Sequence, residues 1–258
     1  AWCRRFWSRG SPLPATDLDL LIEAARAAAE TATRHIGAPL DVREKPGGQG
    51  PVTSADLAVN EVLADVLLSA RPAYGWLSEE SERDPTRTLT PSVFIVDPID
   101  GTRSFIDGGD IWAHSLAVCE DGEITAAVVY LPLTDKLYTA AKGHGAYLNG
   151  APIAPSGRAA LDGARVLATK PNMAPKFWPK GVPNVQRSHR PSLAYRMCLV
   201  ADGSFDAMFT FRDTWEWDIA AGALVATEAG APVTDGSGAP LRFNTETARL
   251  PGVWAGVQ

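Results

Sequence analysis

Cysteine is scarce and scattered. Cys3, Cys119 and Cys198 are the three in 258 residues, an odd number without zinc-ligand spacing. Neither a disulfide framework nor a zinc site is expected, and a reducing, cytoplasmic compartment is. Long apolar runs are missing as well: none approaches the roughly 18 residues of a membrane span, so no integral membrane segment is expected. Basic charge does not dominate, because 24 Lys and Arg face 30 Asp and Glu for a net charge of −6. Binding a phosphate backbone needs clustered Lys and Arg, so no nucleic acid polymer is expected as a partner. The four histidines, His35, His114, His144 and His189, lack ligand spacing and read as structural or surface residues. His189 stands apart in the basic run Arg187-Ser188-His189-Arg190. The first ten residues contain no initiator Met and no signal-type apolar core, and residues 1–15 read as a disordered N-terminal extension.

What is present centres on Val96-Asp97-Pro98-Ile99-Asp100-Gly101-Thr102. Two carboxylates three residues apart end the apolar run Val93-Phe94-Ile95-Val96, a buried strand. Pro98 has no N–H for a ladder bond and is expected to end that strand, while Gly101 allows a tight turn or close approach to a ligand. Two acids at a strand tip followed by amides and a hydroxyl suit a hard cation together with a phosphate.

Around this stretch the chain alternates helices and strands. Thr16 with Asp19 resembles a capping box, and Leu18, Leu21, Ile22, Ala25, Ala28, Ala29, Ala32 and Ile36 recur at helical spacing up to Gly37. Residues 43–51 are a Gly/Pro-rich loop, either a surface hairpin tip or a mobile flap. Ser54 opens a second helix with Leu57, Val62, Leu63, Val66 and Leu67 inward and Asp56 in its first turn. Strands are expected over 113–119, 124–130 and 136–141 as an antiparallel meander, with breaks at Asp121-Gly122 and Pro132. Residues 16–150 form a first lobe. A second lobe, 151–258, is Pro-rich up to 191, helical over 192–200 and 216–229, strand-like over 206–211, and closed by a hairpin over 233–243.

Asp97-Pro98-Ile99-Asp100-Gly101-Thr102 resembles the signature of the inositol monophosphatase family, the magnesium-dependent, lithium-sensitive phosphatases. Pro51-Val52-Thr53-Ser54-Ala55-Asp56, Ser78-Glu79-Glu80-Ser81 and Trp217-Asp218-Ile219-Ala220-Ala221-Gly222 agree with it in order. The resemblance covers the chain from about residue 17 onward. It implies a mixed α/β fold, a five-layer αβαβα sandwich of the inositol monophosphatase and fructose-1,6-bisphosphatase type. It also implies two or three Mg2+ per site. Glu79, Asp97 and the Ile99 carbonyl would serve the first, and Asp97, Asp100 and Asp218 the second. Thr102 and Asp56 would hold and deprotonate the attacking water, with Glu79 beside them. The Gly101 and Thr102 amides would bind phosphate, and Lys45 matches a flap lysine. A small phosphorylated substrate is the implied partner, and a homodimer is admitted.

For the substrate, inositol-hydrolysing members place a glutamate about seven residues before the Trp-Asp pair. Phe211, or Thr210 with a one-residue gap, stands there instead. Phe211-Arg212-Asp213-Thr214-Trp215-Glu216-Trp217-Asp218 resembles the Phe-x-x-Thr-x-x-Trp-Asp of 3′(2′),5′-bisphosphate nucleotidases, whereas Arg103-Ser104-Phe105 resembles histidinol-phosphate phosphatases. The expectation is removal of the 3′-phosphate of adenosine 3′,5′-bisphosphate. Inositol or histidinol phosphate hydrolysis, or a non-catalytic phospho-ligand-binding role, are the alternatives. The outer phosphate would need a cation, and Arg190, with Arg187 and His189, is the expected source.

Overall fold

A computed structural model describes residues 16–45, 47 and 50–258. The expected extension at 1–15, with Cys3, lies outside them. Helix α1 (Asp17–Arg34) opens on the expected box: the Thr16 hydroxyl accepts from Asp19 N–H at 3.2 Å, and the Asp19 carboxylate accepts from Thr16 N–H at 3.3 Å. Its buried stripe includes Leu20, Leu21, Ala24, Ala25, Ala28 and Ala32, while Ile36 is exposed because the helix has already ended. Strands β1 (Val42–Glu44) and β2 (Pro51–Thr53) pair antiparallel on either side of the irregular loop. Helix α2 (Ser54–Ala70) buries Ala55, Val59, Leu63 and Leu67; Leu57, expected inward, faces solvent.

Strands β3 (Gly75–Ser78), β4 (Ser92–Asp100), β5 (Ala113–Glu120), β6 (Glu123–Leu131), β7 (Lys136–Ala141), β8 (Ala146–Leu148) and β9 (Ala151–Pro152) form one seven-stranded sheet in that order. Only β3 and β4 run parallel; the expected meander supplies the antiparallel centre. A short helix, α3 (Thr102–Ile106), follows β4. Contrary to expectation, Pro98 does not end β4. The strand continues to Asp100 through an irregularity between the Asp97↔Ser115 and Asp100↔Ala113 pairs, which absorbs the missing N–H.

The remaining elements are β10 (Arg165–Leu167), β11 (Gln186–Ser188), α4 (Leu193–Ala201), β12 (Ala207–Thr210), β13 (Thr214–Trp215), α5 (Glu216–Glu228), β14 (Val233–Thr234), β15 (Arg249–Leu250) and β16 (Val253–Gly256). A five-stranded sheet runs in the order β11-β10-β12-β16-β14. The expected hairpin over 233–243 is absent: β14 pairs with β16, and the segment between crosses to the first sheet, where Phe243 N–H donates to Gly122 O at 3.0 Å.

The layers follow from the buried faces. Helices α1 and α2 cover one face of the seven-stranded sheet with Leu21, Leu63, Phe94 and Leu116. Helices α4 and α5 fill the space between the sheets with Met197, Ile219, Leu224 and Val253. They touch closely because Gly222 has no side chain: a Cβ there would lie 2.8 Å from Met197 Cβ. The outer face of the smaller sheet carries 3-10 turns at Lys170–Met173 and Pro175–Phe177 as the fifth layer. Pro171, Pro175 and Pro179 each fix φ and remove a donor, which suits turns better than a long helix.

Candidate active site

Segments far apart in the chain converge on one cleft of about 840 Å³. Strand register brings the first two acids together. Ser78 of β3 lies opposite Val96 of β4, and Glu79 N–H donates to Val96 O at 3.2 Å, so Glu79 stands beside Asp97. The third arrives from 121 residues further on (218 − 97). Ser115, register partner of Asp97, donates its hydroxyl to Trp217 O at 3.0 Å, fixing the first turn of α5 and Asp218 within it. Glu79, Asp97 and Asp218 each offer an oxygen within 4.8 Å of the others.

Such crowding has an electrostatic signature. Burial first, then the charges of Glu79, Asp100 and Asp218, push Asp97 well above the ordinary carboxylate range. Asp218 is raised likewise, by burial and then by Asp100 and Glu79. The Lys45 ammonium relieves part of this by donating to Glu79 Oε1 at 2.7 Å and to Glu80 Oε1 at 2.5 Å. Burial lowers its pKa and the two carboxylates raise it, with a net rise. Glu80 is itself raised to about 7 by burial and by Glu79, against the pull of Lys45.

Asp100 is placed differently from the trio. Its Oδ2 accepts from Ser192 Oγ and from Ala194 N–H, both at 2.7 Å, and its Oδ1 from Leu193 N–H at 3.2 Å. It anchors the start of α4 and leaves spare acceptor capacity on Oδ1.

Asp56 sits at the third position of α2. Its Oδ2 accepts from Thr53 N–H at 2.8 Å and Thr53 Oγ at 2.5 Å, while Oδ1 lies 3.2 Å from Thr102 Oγ. That hydroxyl is also 3.1 Å from Ile99 O. Gly101 turns the chain between strand and helix at φ 107°, and a Cβ there would press Ile111 O at 3.3 Å. Gly101, Thr102 and Ile99 all line the cleft.

Arg190 is not among the cleft-lining residues. Its guanidinium lies over the Phe205 ring at 5.7 Å and donates to His189 O at 2.8 Å. Arg196, one turn into α4, lines the cleft instead, held by Arg190 O at 2.6 Å and by His189 Nε2 at 2.9 Å. His189 thus lies at the cleft rim. His114 is fully buried, hydrogen-bonded through Nδ1 to Pro98 O, and lowered to about 4 chiefly by burial. Arg187 donates to Ala168 O at 2.9 Å. The cleft also holds Arg212, from the stretch leading to Asp218, and Lys176, Phe177 and Asn172, which sequence patterns did not single out because nothing along the chain ties 170–177 to the carboxylates.

The profile of the inositol monophosphatase family matches residues 14–253. The chain belongs to the inositol monophosphatase family. Its relatives include the inositol-1-monophosphatase of Rhizobium meliloti, 35% identical over 87% of this chain and 88% of that protein. A Nus factor SuhB of Pseudomonas aeruginosa is 32% identical over 86% of each chain. Among solved structures, the extragenic suppressor protein suhB from Bartonella henselae superposes with a TM-score of 0.79 at 30% identity, over 93% of both chains. The αβαβα architecture is that of this family, and the chain is an inositol monophosphatase-family phosphatase with an acidic cluster in its cleft. Among the described residues no helix is long and apolar enough to cross a membrane.

Proposed function

We propose that the chain hydrolyses a small phosphomonoester with a water held by Thr102 and Asp56, in a site that takes divalent cations on Glu79, Asp97 and Asp218. The observation that carries this reading is the trio itself: three acids from distant segments within 4.8 Å, with the ionised forms of Asp97 and Asp218 disfavoured by burial and by the carboxylates around them. An all-oxygen donor set, with the Ile99 carbonyl beside it, fits a hard cation such as Mg2+. When bound, such a cation neutralises phosphoryl charge and lowers the pKa of water.

The chain's own residues do the rest. Thr53 saturates Asp56 Oδ2, so Oδ1 is the oxygen left to act. The Thr102 hydroxyl donates toward Asp56 Oδ1 and accepts from the attacking water; as the water oxygen bonds to phosphorus and the bond from phosphorus to the alcohol oxygen breaks, the water's proton passes to Thr102 Oγ and the Thr102 proton to Asp56 Oδ1. Burial, reinforced by the charge of Glu79, raises the pKa of Asp56 and makes it a better proton acceptor than an ordinary aspartate. Asp100, fixed on α4, orients the substrate beside Gly101 and Thr102, and Lys45 balances the charge of Glu79.

For the substrate we favour the 3′-phosphate of adenosine 3′,5′-bisphosphate. Phe211, a cleft-lining ring at the place of the polyol-binding glutamate, supports that choice. Inositol monophosphate is the second reading, favoured by what the Rhizobium meliloti relative is called. Phosphate release with Mg2+ across nucleotide, inositol and histidinol phosphates separates them. The nucleotide should give the highest kcat/KM; a preference for inositol 1-phosphate reverses the choice. Millimolar lithium should inhibit, and an unchanged rate would argue against a second cation place at Asp218.

A further inference from the structure

Glu79 stands on a turn, and a turn by itself holds a side chain loosely. Within it, Glu79 N–H donates to Val96 O at 3.2 Å and Glu80 N–H donates to Ser78 Oγ at 3.2 Å. From outside, the turn is gripped by Asn60, half-buried on α2. Asn60 Oδ1 accepts from Ser78 Oγ at 2.6 Å, and Asn60 Nδ2 donates to Ser81 Oγ at 3.1 Å. One amide thus holds the residue before Glu79 and the residue after Glu80. Ser81 is a firm post for this grip. Its Oγ also accepts from Trp76 Nε1 at 3.0 Å, and the Trp76 ring packs edge-on against the buried Phe94.

Asn60 follows Asp56 by four residues, so both side chains share one face of α2. Asp56 reaches Thr102 at 3.2 Å while Asn60 reaches the turn. The helix that carries the proton acceptor therefore also braces an acid of the cation site. We infer that Asn60 is a positioning residue, which directs the Glu79 carboxylate and so sets cation affinity. The inference rests on the cation reading of Glu79, Asp97 and Asp218. It adds a residue that lies outside the cleft lining and acts only through Glu79. Residue type follows from the place: the grip needs an acceptor for Ser78 and a donor for Ser81 at once. An amide supplies both, and a carboxylate would not. Mg2+ takes its oxygens at about 2.0–2.1 Å in near-ideal octahedral geometry, so a carboxylate free to swing is a poorer ligand than one held in place.

The test reads cation affinity directly, by isothermal titration calorimetry of the metal-free protein with Mg2+, beside Tm and phosphate release. Asn60→Leu keeps a similar volume and removes both hydrogen bonds. Its Kd for Mg2+ should rise about 10- to 100-fold, the usual effect of losing a group that orients a metal ligand. Its kcat at saturating Mg2+ should fall by less, because Asp56 and Thr102 keep their own contacts. Leu21→Ala, in the buried stripe of α1, is the control for lost stability alone: Tm should drop while the Kd for Mg2+ stays at the parent value. Ser81→Ala removes only the outer bond and should weaken Mg2+ in the same direction by a smaller factor. It decides the matter if Asn60→Leu does not fold. A parent-like Kd in the folded variant, or equal weakening in Leu21→Ala, would overturn the positioning role and leave the cation reading standing. A parent that takes up no Mg2+ would overturn both.

Discussion

Asp56 has one oxygen saturated by Thr53 and the other turned to Thr102, a division of labour set by a single side chain at the start of α2. Replacing it by asparagine keeps the shape and removes the proton acceptor. Asp56→Asn should therefore lower kcat by about 10² to 10⁴, the usual contribution of a general base, at saturating substrate and magnesium. A kcat within a few-fold of the parent would place the base elsewhere. The acids of this site were legible in the chain because each sits at an element boundary: Asp97 and Asp100 near a strand's end, Asp56 and Asp218 in first helical turns, Glu79 just past β3. Arg196 and Lys176 were not legible. Arg196 lies inside a helix whose every residue is buried, and Lys176 reaches the cleft through a turn whose placement depends on Asn172 gripping β12. Arg190 misled for the same reason. Its neighbourhood in sequence is basic, but only the fold decides that it turns toward Phe205.

At the scale of an element, α2 shows how structure and chemistry share one motif. Thr53 caps the helix through its hydroxyl, accepting from Ala55 N–H at 3.1 Å and Asp56 N–H at 3.3 Å, while donating to the Asp56 carboxylate. Thr53→Ala should cost about 1 kcal/mol as a lost N-cap, read in denaturant unfolding, and should lower kcat as well because Asp56 loses its anchor. Thr53→Ser, which keeps the hydroxyl, should recover both; recovery of stability without activity would separate the cap from the site. The meander β5 to β7 was legible because alternation and turn residues are local signals. The two-residue strands β13, β14 and β15 were not, since each exists only by pairing with a partner far along the chain or already in place. Leu57 was misassigned to the core for a related reason: α2 buries only a narrow stripe against the sheet, and its neighbouring positions face out.

For the whole molecule, the acidic cleft opposes folding until something neutralises it. Asp56, Glu80, Asp97, Asp100, Glu216 and Asp218 all have folded pKa values raised, chiefly by burial. Carboxylates titrate near 4 in an unfolded chain, so above that pH the folded state holds more protons, and stability falls as pH rises toward each folded value. His114, lowered to about 4, works in the opposite sense, but its contribution is complete above about 6.5. The metal-free protein should thus lose thermal stability between about pH 6.5 and 8, and millimolar Mg2+ should restore it by binding the folded state alone. A Tm that is flat or rising over that range without metal would contradict the electrostatic account. The central claim, that Glu79, Asp97 and Asp218 hold the cation on which turnover depends, is tested most directly by one titration: phosphate release against Mg2+ concentration for the parent and for Asp97→Asn. Asparagine keeps the hydrogen bond from Ile99 N–H, at 3.0 Å in the parent, and deletes only the charge. The parent should show saturable activation, and the variant no measurable release at any ordinary magnesium concentration while melting at or above the temperature of the metal-free parent. Substantial activity from Asp97→Asn with a parent-like magnesium dependence would contradict it.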